Sequence, residues 1–312
     1  MRVLFTARHS VSHLLAMTAA AQACASAGHD VRTAGPPGAP RSAALRGTSP
    51  PGRDWLPDLV VSAEDDTTAG ARPGARVVRW TPLDHRSADG ATPVRIDPCP
   101  PGLRGNQETD GLSVRQPTCH AGQLPYELRE PHHLLRVCLR PGPPGSPRSW
   151  EPERLLLVAR AALGLDVEVI VLVPAAERAR VTGVLGSLGR AGAQLRFAEP
   201  ELLGPVLATC VAVAHEGGPD VTLEAAAHGV TQLVIADTRP AGDRLDRIGA
   251  GRRLVAAEEP REPGSSLRLR RHLADLLYGG RALATAQRLR SAIAALPSPE
   301  DFAGRLEDLA AR

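Results

Sequence analysis

Two acids occupy a glycine turn in the second half of the chain: Ala214-His215-Glu216-Gly217-Gly218-Pro219-Asp220-Val221-Thr222-Leu223-Glu224-Ala225, followed by Gly229 and Gln232. The apolar run from Val206 to Ala214 predicts a buried strand, and the residues after the turn predict a helix. A strand that enters a helix through such a turn aims backbone N–H groups and a helix N-terminus at an anion, usually a phosphate. Glu216 and Asp220 stand where that anion would sit. At about 4 Å, like charges repel by roughly 4 kcal/mol at an effective dielectric near 20. A helix N-terminus returns only roughly 0.3–1 kcal/mol, up to about 2. A bridging Mg²⁺ would reverse that balance. Asp220 also has a plain structural role open to it, as the cap of a helix starting near Val221.

The second residue with chemistry is His13, just after the first predicted strand, at the sheet edge where α/β folds bind ligands. A neutral imidazole with a pKa near 6.5 suits proton transfer; packing at the helix start is its bland alternative. Asp66 or Glu64 could orient that imidazole, as against lying on a solvated loop. Asp243, with Asp237, flanks a Pro/Gly turn where either could meet a ligand. His120, His132 and His133 have no acid pair at metal-ligand spacing, and no metal site is expected. The five cysteines are odd in number and contain no CxxC pair, which indicates neither a zinc site nor a disulfide framework.

The elements that must position these residues alternate. A strand over 2–6, a helix over 13–27 and a strand over 30–34 make one βαβ unit. Strands over 58–61 and 75–80 follow. Residues 35–53 and 86–124 are Pro/Gly-rich and read as loop and linker. From 134 onward strands and helices alternate strongly: strand 134–139, helix 151–163, strand 167–172, helix 175–191, strand 194–197, the opening motif, strands 232–235 and 253–256, and three closing helices. The fold class is α/β with two Rossmann-like, doubly wound domains. Their expected extents are 1–124, a reduced N-terminal domain with linker, and 125–312.

The net charge is +3, and all 37 basic residues are Arg spread among 34 acids. No concentrated basic patch marks a nucleic-acid surface. No apolar run reaches the roughly 18–20 residues that span a bilayer, and a cytoplasmic location is expected.

Several segments resemble the GT-B glycosyltransferases that decorate macrolides and other antibiotics in actinobacteria. They are Met1-Arg2-Val3-Leu4-Phe5-Thr6 with His13, Ala27-Gly28-His29-Asp30-Val31, Pro57-Asp58-Leu59-Val60-Val61, Asp97-Pro98-Cys99-Pro100-Pro101, Glu130-Pro131 leading to Arg136-Val137-Cys138-Leu139, the Gly217-Gly218 motif with Leu223-Glu224-Ala225 and Gly229, and Gly249-Ala250-Gly251. The resemblance implies a GT-B-like fold whose two domains face a cleft, with an acceptor-type first domain and a donor-type second one. It makes His13 the base that deprotonates an acceptor hydroxyl and Glu224 the ribose-binding acid. Where the family has a His before Gly-Gly, facing the donor pyrophosphate, this chain has Glu216. Its phosphate-approaching Gly is Asp220, and its capping Ser or Thr is Val221, with Thr222 adjoining. Its Asp-Gln pair for sugar hydroxyls corresponds to Asp243-Arg244. Its Gly-Thr-Ser loop is replaced by Arg140-Pro141-Gly142-Pro143-Pro144-Gly145-Ser146.

Three functions follow. The first is a repurposed homologue of antibiotic biosynthesis that needs no cofactor and binds a small natural-product intermediate in the cleft, with His13 as acid or base. The second is an active glycosyltransferase using a UDP- or dTDP-sugar, with the donor held by Glu216, Gly217, Gly218, Asp220, Thr222, Glu224 and Asp243. The third is a non-catalytic partner of another pathway enzyme. Nucleic acid and membrane are not expected partners; a homodimer stays open.

Overall fold

The computed structural model describes residues 1–7, 11–35, 54–63, 75–80, 95–104, 112–115, 123–129, 133–142, 149–236, 240–254 and 265–311. They form two compact α/β units, one of Met1–Pro117 with Ile293–Arg312 and one of Thr118–Ala292.

In the first unit, β1 (Arg2–Thr6), β2 (Asp30–Ala34), β3 (Leu59–Ser62), β4 (Arg76–Trp80), β5 (Arg95–Asp97) and β6 (Leu112–Ser113) make one sheet in the order β2-β1-β3-β4-β5-β6. All its pairings are parallel. Helix α1 (Val11–Ser26) connects β1 to β2. Val3, Phe5, Leu59 and Val61 are fully buried on these strands, as parallel strands covered by helices require. The sheet grows one way from β1 to β2 and the other way to β3, so its topological switch point lies beside β1.

The stretch 86–124 was expected to be a linker; within it the described residues supply β5, β6 and the helical turn α2 (Pro101–Arg104). These pieces are too short to carry a periodic signal, and polar contacts fix them. Asp97 Oδ1 accepts the Cys99 N–H at 2.8 Å, and Asp97 Oδ2 pairs with Arg104 Nε at 2.8 Å. Arg104 Nη2 then donates to Ser113 Oγ at 2.6 Å, tying β6 to the turn.

In the second unit, α3 (Tyr126–Arg129) leads to β7 (Arg136–Arg140), α4 (Pro152–Leu163), β8 (Glu168–Leu172), α5 (Ala175–Leu185), β9 (Leu195–Ala198), α6 (Leu203–Leu207), β10 (Ala212–His215), α7 (Pro219–His228), β11 (Thr231–Ile235), α8 (Pro240–Ile248), β12 (Gly251–Leu254), α9 (Ser265–Tyr278) and α10 (Gly280–Ala294). The parallel sheet runs β12-β11-β10-β7-β8-β9. Its switch point lies between β7 and β10, which pair directly with Arg140 opposite His215. At the other end of the sheet, buried Glu168 takes Arg136 Nε at 2.5 Å and Arg196 Nε at 3.3 Å. Arg136 Nη1 also donates to the Leu128 carbonyl at 2.8 Å, which fastens α3 beneath β7.

Two elements differ from the sequence reading. The run expected to be one strand from Val206 to Ala214 is helical to Leu207 and extended only from Ala212. Val206 and Leu207 pack with Val221 and Ala225, and Thr209 Oγ1 closes α6 on the Val206 carbonyl at 2.8 Å. A short apolar run serves a buried strand or a buried helix equally well. The helix expected over 175–191 ends at Leu185 and continues as a 3-10 run over Gly186–Gln194, broken at Gly189 with φ +58°.

The chain's end departs from the expected division at 124/125. Helix α11 (Pro299–Ala311) belongs to the first unit, where it packs on α1. Ser298 caps it reciprocally with Asp301: the Asp301 N–H donates to Ser298 Oγ at 3.1 Å, and Asp301 Oδ2 accepts the Ser298 N–H at 3.0 Å. The Arg115 N–H donates to the Pro297 carbonyl at 2.7 Å and holds the approach to it.

Candidate functional site

The glycine turn lies at the switch point of the second sheet, where β10 hands over to α7. Gly217 has φ +84°, a left-handed conformation that favours glycine. Gly218 is the N-cap of α7, and Pro219 opens its first turn. Asp220 therefore lies inside the first turn and makes no cap; the capping role expected for it is not realised, because the helix starts two residues earlier than Val221. Proline suits that first position, since its missing N–H would have had no helical partner.

Beneath the turn runs a buried relay. The Gly217 N–H donates to His215 Nδ1 at 3.1 Å, and His215 Nε2 lies 3.1 Å from Gln232 Oε1. Gln232 Nε2 donates to the Thr222 carbonyl at 3.1 Å. An imidazole that accepts at Nδ1 and donates at Nε2 is the neutral tautomer. Thr222 turns its hydroxyl inward to the Gly218 carbonyl at 2.8 Å.

Above the relay, the two acids converge on Arg140, the last residue of β7. Arg140 Nη1 donates to Glu216 Oε1, and Arg140 Nη2 donates to Asp220 Oδ2 at 2.7 Å. The Arg140 side chain is 11% exposed and that of Glu216 4%. Burial opposes the guanidinium charge, but Asp220 and Glu216 together outweigh it and hold Arg140 above its ordinary range. Burial pushes the Glu216 carboxyl up, with Asp220 adding to the rise and Arg140 opposing it. Glu216 Oε2 is buried without a hydrogen-bond partner. A Cβ at Gly218 would fall 2.6 Å from Asp220 Oδ1 and 2.9 Å from Glu216 Oε1, so the carboxylates crowd the turn itself.

The remaining candidates are placed as follows. Glu224 is buried on α7, with Oε1 3.4 Å from His228 Nε2 one helical turn on. Asp243 lies in the first turn of α8 rather than in a loop, half-exposed, and pairs with Arg253 Nη1 on β12 at 2.5 Å. His13 lies in the first turn of α1, half-buried, beside the switch point of the first sheet. Asp66 lies outside the described residues. Thus Glu216, Gly217, Gly218, Asp220 and Thr222 come together, with Glu224 further along the same helix. Arg140 carries no signal of its own as a site residue in the sequence: it ends β7, which also bears Arg136, and only the pairing of β7 with β10 brings it to the turn. Among the described residues, no group of three or more His, Cys, Asp and Glu could hold a metal ion. Among them also, no helix is long and apolar enough to cross a membrane.

Residues 156–309 match the family model described as erythromycin biosynthesis protein CIII-like, C-terminal domain. The chain is 31% identical to aclacinomycin-T 2-deoxy-L-fucose transferase of Streptomyces galilaeus over 69% of this chain and 48% of that protein. It is 30% identical to TDP-daunosamine transferase DnrS of Streptomyces peucetius over 83% of this chain and 62% of that protein. The chain thus spans roughly half to three-fifths of the length of these curated relatives. Among solved structures, spinosyn forosaminyltransferase SpnP superposes with a TM-score of 0.77 at 27% identity, covering all of both chains. Two parallel-sheet α/β units, with a glycine turn at the switch point of the second, define a protein of the GT-B fold class. Residues 156–309 thus fall in that C-terminal-domain family, and the chain as a whole is similar to the GT-B glycosyltransferases of antibiotic biosynthesis.

Proposed function

We propose that this chain serves secondary metabolism by acting on a natural-product intermediate, with His13 as acid or base and without the nucleotide-sugar donor. The observation that carries the reading is the Arg140–Glu216–Asp220 cluster. The resemblance implies a donor pyrophosphate against the positions of Glu216 and Asp220, and a diphosphate does not fit these residues as they stand. The Gly217 N–H is already given to His215, and Pro219 has no N–H to offer. To enter, the anion would have to separate Arg140 from Glu216 and leave a carboxylate buried and unpaired, at about 3–5 kcal/mol. A micromolar site, about −8 kcal/mol, would fall to the millimolar range.

Calorimetric titration with dTDP and UDP, with and without Mg²⁺, tests this directly. No binding tighter than about millimolar is expected in either condition; micromolar binding would overturn the reading. That result would establish the second reading, an active nucleotide-sugar transferase, which the retained Gly217–Gly218 turn and Glu224 favour.

For His13, a chromosomal His13→Ala replacement in the native host is expected to cut product titre about a hundredfold or more, the usual contribution of a positioned acid or base. Unchanged titre would remove His13 from the chemistry and favour the non-catalytic partner.

A further inference from the structure

We infer that Arg140 is the specificity-determining residue of this cradle. It is a buried anion receptor held shut by the chain's own Glu216 and Asp220, so the larger barrier to a diphosphate lies in two carboxylates, beyond the donors already spent at Gly217 and absent at Pro219. This inference rests on the reading that the native cradle does not take a diphosphate.

Three observations carry it. The backbone frame is intact: β10, the left-handed Gly217, the Gly218 N-cap and the ten-residue helix α7 are all formed. The His215–Gln232–Thr222 relay supports that frame from below with hydrogen bonds of 3.1 Å. It uses neither acid.

Second, Arg140 reaches across from the neighbouring strand and spreads its fork, one terminal nitrogen to each carboxylate. A guanidinium presents its donors in the same planar fork to carboxylates and to phosphates. The two carboxylates therefore act as an internal counter-ligand for a group that would otherwise recognise a phosphate-type anion.

Third, the counter-ligand is imperfect. Two acids face one guanidinium, and Glu216 Oε2 is left buried without a partner. An unpaired buried polar atom costs free energy, so the pairing with Arg140 does not satisfy the two acids in full. Neutralising the acids reverses the situation. The guanidinium, 11% exposed, is then the buried group without counter-charge, beside a helix N-terminus that favours an anion.

The test uses the full-length protein and inorganic diphosphate, with dTDP as a second probe. The isosteric double variant Glu216→Gln/Asp220→Asn is expected to bind either probe at least a hundredfold more tightly than the native chain. It is also expected to melt at a higher temperature when the probe is present. Adding Arg140→Ala to the double variant should abolish the gain. The single variant Asp220→Asn changes a partly exposed acid, keeps Glu216 on Arg140, and should gain about tenfold; it answers the question if the double variant does not fold. No gain in either variant, or a gain that survives Arg140→Ala, would overturn the inference. Tight binding by the native chain would instead overturn the reading on which it rests, so the two failures are distinct.

Discussion

Arg140→Ala is expected to lower the stability of the second unit by about 3–5 kcal/mol at neutral pH, the range found when one partner of a buried ion pair is removed. The loss comes from what is left behind. Glu216 is 4% exposed, and without Arg140 its carboxylate keeps the influences that oppose ionisation, burial and Asp220, while losing the one that favours it. The pH dependence follows from the same facts. Burial raises the folded-state pKa of Glu216 above the ordinary 4.5, so between those two values the folded state binds more protons than the unfolded one. Stability linked to this group is therefore complete below 4.5 and lost as pH rises through the folded value. Arg140→Ala moves that folded value further up and deepens the loss at neutral pH. Urea unfolding of the native chain and the variant at a series of pH values reads this out. The stability gap should be widest near neutrality and should shrink as pH falls toward 4.5. A neutral-pH difference below about 1 kcal/mol, within the range of exposed pairs, would show that the cluster is not the buried unit described.

Phe302→Ala is expected to cost about 3–5 kcal/mol, and to cost it in the first unit. Phe302 lies ten residues from the chain's end, yet it is fully buried among Val3, Phe5, Met17 and Cys24. Deleting its ring removes apolar contact from the core around β1 and α1 and leaves a cavity that flanking backbone cannot fill. Scanning calorimetry resolves the consequence if the two units melt separately: the transition carrying the first sheet should move down while the other stays in place. A shift confined to the second unit, or one worth less than about 1 kcal/mol, would contradict the packing of α11 on α1.

The legible part of the fold was the part with local cause. Helix α1 ends at Ser26, two residues before Gly28, and β2 starts at Asp30, as the Ala-rich helical spacing and the following glycine suggest. Strand β8 is continuously apolar after Glu168 because both of its faces are covered. The illegible part had non-local cause. Strands β5 and β6 are three and two residues long, and only pairing with an existing sheet edge makes them strands. The stretch through α6 is apolar in either conformation, and packing on α7 decides between them. Helix α11 reads as an ordinary amphipathic helix, and nothing in its own residues says which sheet it will cover.

The candidate site divides in the same way. Chemical type and order along the chain were enough to single out His13, the glycine turn and its two acids, because a strand–turn–helix junction presents backbone donors wherever it occurs; Glu224 was implied by the family resemblance alone. From those residues alone, Glu216 and Asp220 read as two uncompensated charges, with Asp220 as a helix cap. Tertiary structure decided otherwise. Parallel pairing of β7 with β10 sets Arg140 opposite His215, seventy-six residues from Glu216 in sequence. That register brings one guanidinium between both acids and turns apparent repulsion into a buried cluster of two carboxylates on one cation. The sign of a site's electrostatics depends on distances between groups, and sheet register sets those distances across segments that share no local pattern.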